Sequence, residues 1–156
     1  MPINIGQQAP EFALYDTNKQ KVALSSYRGK NVILLFFPFA FSSVCTREMC
    51  EIGENYSYYT QLNAEVIGIS VDSLFTNKQF REEHKLNFPL LSDFNKEVAP
   101  LYDSLADTFA FEYSGVAKRS SFVIDRDGSI VYMEILKSPG EYPDMQKLKE
   151  VVAALN

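Results

Sequence analysis

Three observations predict an α/β fold with a mixed central sheet flanked by helices. The apolar run Val32 to Phe37 stops at Pro38, and a run of about six such residues ended by one that cannot donate to a ladder fits a buried central strand. A helical stretch from about Ser43 to Leu62 separates this run from a second β-branched one, Glu65 to Asp72, which makes the pair a parallel βαβ crossover. Towards the end, Arg126-Asp127-Gly128 stands between Arg119 to Asp125 and Ser129 to Leu136. Asp-Gly tolerates the positive φ of a tight turn, so these are two antiparallel strands joined by a hairpin, the last two of the sheet.

The remaining elements follow in chain order. Gly6 to Leu14 alternates like the start of a short strand, Asn18 to Lys21 is a turn, and Val22-Ala23-Leu24 pairs back to close an N-terminal hairpin. Ser25 to Lys30 is a polar link into the central strand. In the long helix Met49, Ile52 and Tyr56 recur at helical spacing, and Tyr56, Tyr58, Tyr59 and Leu62 read as core or interface. Ser73 to Lys85 forms a helix with Leu74, Phe75 and Phe80 inward; Phe88 to Asp93 is an edge strand or extended segment because of Pro89. Lys96 to Tyr102 is a short helix interrupted at Pro100, and Ser104 to Ala117, with Phe109, Phe111 and Tyr113, has no regular period. Pro143 and Asp144 open a terminal helix with Met145, Leu148, Val152 and Leu155 on one face.

Composition bounds the function. A chain of 156 residues, 46% hydrophobic, suits one domain, residues 1–156, with a sizeable core. With 20 acidic against 15 basic residues and a net charge of −5 there is no dense cationic cluster, so neither nucleic acid nor an anionic membrane surface is an expected partner. The opening Met1-Pro2-Ile3-Asn4-Ile5-Gly6 lacks a basic and apolar leader, and no apolar run approaches the roughly 18 residues of a membrane span, which points to the cytosol. Two cysteines in a reducing compartment point to a catalytic or redox pair, inert buried cysteines being the alternative. Two cysteines and the single His84, in a charged helical segment read as a solvated face, supply no zinc spacing. No phosphate loop or dinucleotide fingerprint occurs either, so no cofactor and no metal is expected.

The chemistry concentrates just after the central strand. Ser42 or Ser43 can cap the next helix, which puts Cys45 in or near its first turn, where free N–H groups and the helix dipole favour an anion. A helix N-terminus and a nearby cation can lower a cysteine pKa from about 8.5 to between roughly 3.5 and 7.5. Cys50 follows five residues later, which on a continuous helix is about 7.5 Å along the axis and about 140° around it. A disulfide needs Cα atoms roughly 4.4 to 6.8 Å apart, so bridging the pair requires local unwinding.

Pro38, Ser42 and Cys45 at this spacing resemble the active-site loop of the peroxiredoxins: proline, three residues, threonine or serine, two residues, cysteine. Cys45-Thr46-Arg47-Glu48-Met49-Cys50 is similar to the Q-type enzymes, also called bacterioferritin comigratory proteins, whereas Phe36-Phe37-Pro38-Phe39-Ala40-Phe41 looks more like the E-type alkyl hydroperoxide reductases. Ser42 replaces the usual threonine, Ser43-Val44 stands where proline-glycine is common, and E-type enzymes usually lack a cysteine at the Cys50 position. The resemblance implies a thioredoxin-like fold with an N-terminal hairpin extension and a thiol-dependent peroxidase acting on hydrogen peroxide, organic hydroperoxides or peroxynitrite.

It also implies roles. Cys45 attacks the O–O bond and becomes a sulfenic acid; its plainer reading is a small buried hydrophobe. Ser42 aligns the peroxide, or simply caps the helix, and the Cys45 N–H stabilises developing charge. Arg119, opening a strand that resembles the family's arginine-bearing one, supplies the cation, with Arg126 in the hairpin turn as the alternative. Glu48 pairs with that arginine or is an exposed helix residue. Cys50 closes an intramolecular disulfide reopened by a thioredoxin-like reductant, or it is a buried helix residue and an external thiol recycles Cys45 directly. Phe39-Ala40-Phe41 suits alkyl hydroperoxides or a dimer surface, and the chain is a monomer or weak homodimer. Two rivals remain: a dithiol oxidoreductase, disfavoured because four residues separate the cysteines, and a redox sensor or holdase that binds its partner when oxidised.

Overall fold

The structure is a computed structural model that describes residues 2–155; Met1 and Asn156, the ends of the expected domain, lie outside the described residues. The buried run forms strand β3 (Asn31–Phe36), every residue of it buried. An antiparallel hairpin, β1 (Ala13–Asp16) and β2 (Lys21–Ala23), precedes it. Helices α1 (Ser43–Glu54) and α2 (Tyr56–Gln61) then lead to β4 (Ala64–Ser70), which pairs with β3 in parallel. Helix α3 (Leu74–Glu83) crosses to β5 (Leu90–Ser92), parallel to β4.

A small antiparallel pair, β6 (Leu105–Ala106) and β7 (Val116–Ala117), frames an irregular loop. The hairpin β8 (Ser120–Ile124) and β9 (Ile130–Ile135) completes the sheet, and α4 (Met145–Ala154) ends the chain. Among the described residues the sheet has seven strands in the order β2-β1-β5-β4-β3-β8-β9. It is mixed, because β3 pairs in parallel with β4 and antiparallel with β8. This is the thioredoxin-like arrangement with an added N-terminal hairpin.

Alternate side chains of β3 feed two cores. Val32, Leu34 and Phe36 pack with Ile67, Tyr102 and Phe122 on one face; Ile33 and Leu35 pack with Met49, Ile52, Phe80 and Val152 on the other. The second core seats α1 against the sheet. Gly68 leaves little room in this core, because a Cβ there would come within 2.7 Å of Leu90 Cδ2 and displace that side chain. No described helix is long and apolar enough to cross a membrane.

Several sequence expectations are corrected. Regular pairing near the N-terminus begins at Ala13 and not at Gly6; before it Gly6, Gln7 and Ala9 exchange backbone hydrogen bonds with Ile130 and Gly128 around a single isolated bridge, Gln8 to Ser129. The long helix breaks at Asn55, whose side-chain amide donates to the Glu51 carbonyl at 2.9 Å and competes with the helix ladder. Phe75 is 65% exposed and only Phe80 of the α3 aromatics is buried. Strand β5 is internal, with β1 on its outer side. Pro89 lies just before it and its carbonyl accepts from the Gly68 N–H at 3.0 Å, so the missing N–H costs no ladder bond. Pro100 sits in the first turn of a 3₁₀ helix, Ala99–Tyr102, and so begins it where an interruption was expected. A 3₁₀ turn, Leu24–Tyr27, occupies the polar link.

Candidate active site

The last bond between β3 and β4 runs from the Phe37 N–H to the Ile69 carbonyl at 3.0 Å. Pro38 ends the ladder, and the chain turns through Phe41 at a φ of 72°. Ser42, in extended backbone, is the N-cap of α1, but its hydroxyl donates to the Phe39 carbonyl at 2.9 Å and makes no cap bond to the helix. Thr46 instead ties the turn, its N–H and hydroxyl both donating to the Ser42 carbonyl, at 2.9 and 2.8 Å. Cys45 is the third residue of α1, so its N–H has no intrahelical acceptor. Its side chain is fully buried.

Glu48 lies one turn on, also fully buried, on the same helix face as Cys45. Arg119 reaches both from the residue before β8. Its Nη1 donates to Cys45 Sγ at 3.3 Å and to Glu48 Oε1 at 2.8 Å, and its Nη2 donates to the Pro139 carbonyl at 3.2 Å. The backbone that aims it is fixed by the Leu136 N–H, which donates to the Arg119 carbonyl at 2.9 Å. One guanidinium thus faces two ionisable groups. Burial pushes the Glu48 carboxyl up to about 7 against the pull of Arg119. Burial also disfavours the Arg119 charge, but Cys45 and Glu48 beside it hold its pKa above the ordinary value. The guanidinium therefore stays charged, and the thiol and carboxyl compete for it.

Arg119 carries the group to a cleft of about 300 Å³, which it lines with Pro38 and Ser42, while Cys45 and Glu48 lie buried behind it. Its wall is aromatic: Phe109 and Tyr113 each stand edge-on to Phe39 with ring centres 5.7 Å apart. A larger cleft, about 510 Å³ beside Tyr15, Phe75 and Phe94, contains neither cysteine nor Arg119.

Pro38, Ser42, Cys45, Glu48 and Arg119 are therefore brought together, and Arg126 is not: it is exposed in the β8–β9 turn. Glu48 is no surface residue. Cys50 is partly exposed, beside Glu54, His84 and Lys85 in a separate cleft of about 290 Å³. Both thiols are free and both lie on the unbroken helix α1. Burial and the Glu54 charge raise the Cys50 pKa above its ordinary value. The solvated reading of His84 is corrected, since its side chain is only 25% exposed and its ring packs against Phe80 and Phe41, 5.2 and 6.4 Å away.

Three contributions escaped sequence reasoning. Phe109 and Tyr113 sit in a stretch without period, where only the density of aromatic residues was a signal. Tyr142 clamps α1 from outside: its hydroxyl donates to Glu51 Oε1 at 2.7 Å, and the Arg47 guanidinium lies 3.9 Å above its ring. Asp72 accepts from the Ala40 N–H at 2.7 Å. No signal of spacing or composition marks either residue.

Comparison with known proteins places the chain in a family. The chain is 38% identical over 154 residues to alkyl hydroperoxide reductase E of Mycobacterium tuberculosis, covering 98% of each chain. It is 37% identical over 133 residues to peroxiredoxin Bcp of Bacillus subtilis, covering 84% of each. The crystal structure of peroxidoxin BcpB from M. tuberculosis superposes with a TM-score of 0.86 over 99% of each chain at 25% identity. Relatives of both kinds that the cysteine loop resembles are therefore present. Residues 5–133 match the AhpC/TSA family, and with these relatives the chain belongs to that family, the peroxiredoxins, and is a peroxidase enzyme using thiol chemistry on peroxides.

Proposed function

We propose that this protein, working as one thioredoxin-like domain, reduces hydrogen peroxide and organic hydroperoxides with Cys45 as the nucleophile. The observation that carries the reading is the Arg119 guanidinium, 3.3 Å from the buried Cys45 Sγ and itself lining an aromatic cleft. The Arg119 cation beside the sulfur and the free N–H groups of the first turn of α1 stabilise negative charge during attack. The Cys45 sulfur forms a bond to the distal peroxide oxygen as the O–O bond breaks, and the departing alkoxide or hydroxide takes a proton to leave as alcohol or water. Donors of Arg119 and the Cys45 N–H are positioned for the charge that develops on those oxygens, with Ser42 at the cleft edge able to align the peroxide. Phe39, Phe109 and Tyr113 suit an alkyl group on the substrate.

Cys50 then attacks the sulfenic acid, forming the S–S bond and releasing water, and a thioredoxin-like dithiol reduces the bridge. The enzyme acts as a monomer or weak homodimer. A second reading, in which Cys50 does not resolve, is favoured by the unbroken helix that holds both cysteines and by the raised Cys50 pKa. External thiol would then reduce the sulfenic acid directly.

Intact mass after one equivalent of hydrogen peroxide separates the two. The two-cysteine cycle requires the wild type to lose two hydrogens, Cys50→Ser to gain oxygen and Cys45→Ser to stay inert. Oxygen gained by the wild type without a bridge selects the one-cysteine cycle, and an unreactive Cys45 sinks both.

A further inference from the structure

Beyond Phe37 the cysteine loop loses its ladder to β4, yet it is not free. Ala40 donates its N–H to Asp72 Oδ2 at 2.7 Å, and the same oxygen accepts from the Ser70 hydroxyl at 2.8 Å. Asp72 is held firmly enough to act as an anchor, since its N–H donates to Ser70 Oγ at 3.2 Å and its carbonyl accepts from the Ser92 hydroxyl at 2.6 Å. Ala40 stands between Pro38, which has no N–H, and Phe41, whose φ of 72° is unfavourable for a bulky side chain. The Phe41 ring packs on Phe80, so the strained turn is gripped on both sides.

We infer that Asp72 is a positioning residue for the peroxide reaction: its carboxylate latches the Ala40 backbone and keeps the first turn of α1, with Cys45, wound in the geometry that Arg119 and the cleft require. The latch works against the next step. Bringing Cys50 to the Cys45 sulfenic acid needs that turn to unwind, so the contact that favours oxidation opposes bridge formation. This rests on Cys45 as the nucleophile and Cys50 as the resolving thiol.

The test is a quenched single turnover of the reduced full chain with hydrogen peroxide, read by intact mass, which gives separate rate constants for gain of oxygen and for the bridge that follows by loss of water. Asp72→Ala should slow oxidation by about ten- to a hundredfold, the scale expected for a misplaced reacting atom, and should speed the bridge. Asp72→Asn, whose carbonyl can still accept from Ala40, should stay within about threefold of wild type in both steps. Unchanged oxidation in Asp72→Ala, an equal slowing of both steps, or an Asn variant as slow as the Ala variant overturns the latch.

If Asp72→Ala does not fold, amide exchange of the wild type decides. The Ala40 N–H should be protected in the reduced protein, and free exchange there overturns the proposal. A wild type that gains oxygen and never bridges overturns the two-cysteine reading alone, and the oxidation rate of Asp72→Ala then judges the latch.

Discussion

Arg119 donates to the sulfur of Cys45 at 3.3 Å although 74 positions separate them in the chain. The contact exists because β3 and β8 are antiparallel neighbours: Phe36, near the end of β3, faces Ser120, the residue after Arg119. The loop that leaves β3 and the residue that enters β8 therefore emerge at the same end of the sheet. Glu48 completes the pair from the next turn of α1, and the whole group is buried.

Arg119→Lys keeps the charge but loses the planar fork that reaches Cys45, Glu48 and the Pro139 carbonyl together. The rate constant for oxidation by hydrogen peroxide should fall by about a hundredfold, the scale of removing a preorganised donor. Stopped-flow tyrosine fluorescence measures it. A lysine variant that reacts at the wild-type rate would remove Arg119 from the chemistry.

Glu48 gives stability an unusual pH dependence. The unfolded carboxyl titrates near 4.5 and the folded one near 7, so between these values the folded chain keeps a proton that the unfolded chain has released. The stabilisation is complete below 4.5 and is lost as pH rises through 7. Urea unfolding of the wild type should therefore show a loss on the order of 2–3 kcal/mol between about pH 5 and pH 8 from this group. Glu48→Gln cannot titrate and should flatten that slope. An undiminished slope in the variant would assign the effect to other residues.

In the proposed two-cysteine cycle Cys50 must ionise to attack, and both burial and Glu54 oppose it. Bridge formation should thus keep accelerating from about pH 7 to beyond pH 9. Glu54→Gln removes the opposing charge and should move this profile to lower pH without altering oxidation of Cys45. Identical bridge profiles for the two proteins would show that unwinding of α1, and not the thiolate fraction, sets the rate.

Much of this was legible in the residues. The apolar run ending at Pro38 marked the central strand, Asp127-Gly128 marked the last hairpin, and Ser42 with Cys45 marked the start of α1, since each is a local pattern read within a few positions. Pro89 misled because a proline's effect on pairing depends on whether it lies inside a strand or one residue before it. Asn55 hid the break between α1 and α2, because a competing side-chain amide is not visible in a hydrophobic period. Phe75 shows the limit of periodicity: its spacing fits the inner face of α3, but it lies 65% exposed.

The sequence by itself determined where Cys45 stands, because a strand-ending proline followed by a helix start is a local pattern that places it in the first turn of α1. Which of Arg119 and Arg126 lies beside Cys45 was decided only by tertiary structure, as were the burial of Glu48, the aromatic wall from Phe109 and Tyr113, and the hold of Asp72 on Ala40. These depend on strand order and on which loops leave the sheet at the same end. Charge and burial are properties of neighbours in space, and neighbours tens of residues apart are set by the packing of the whole sheet.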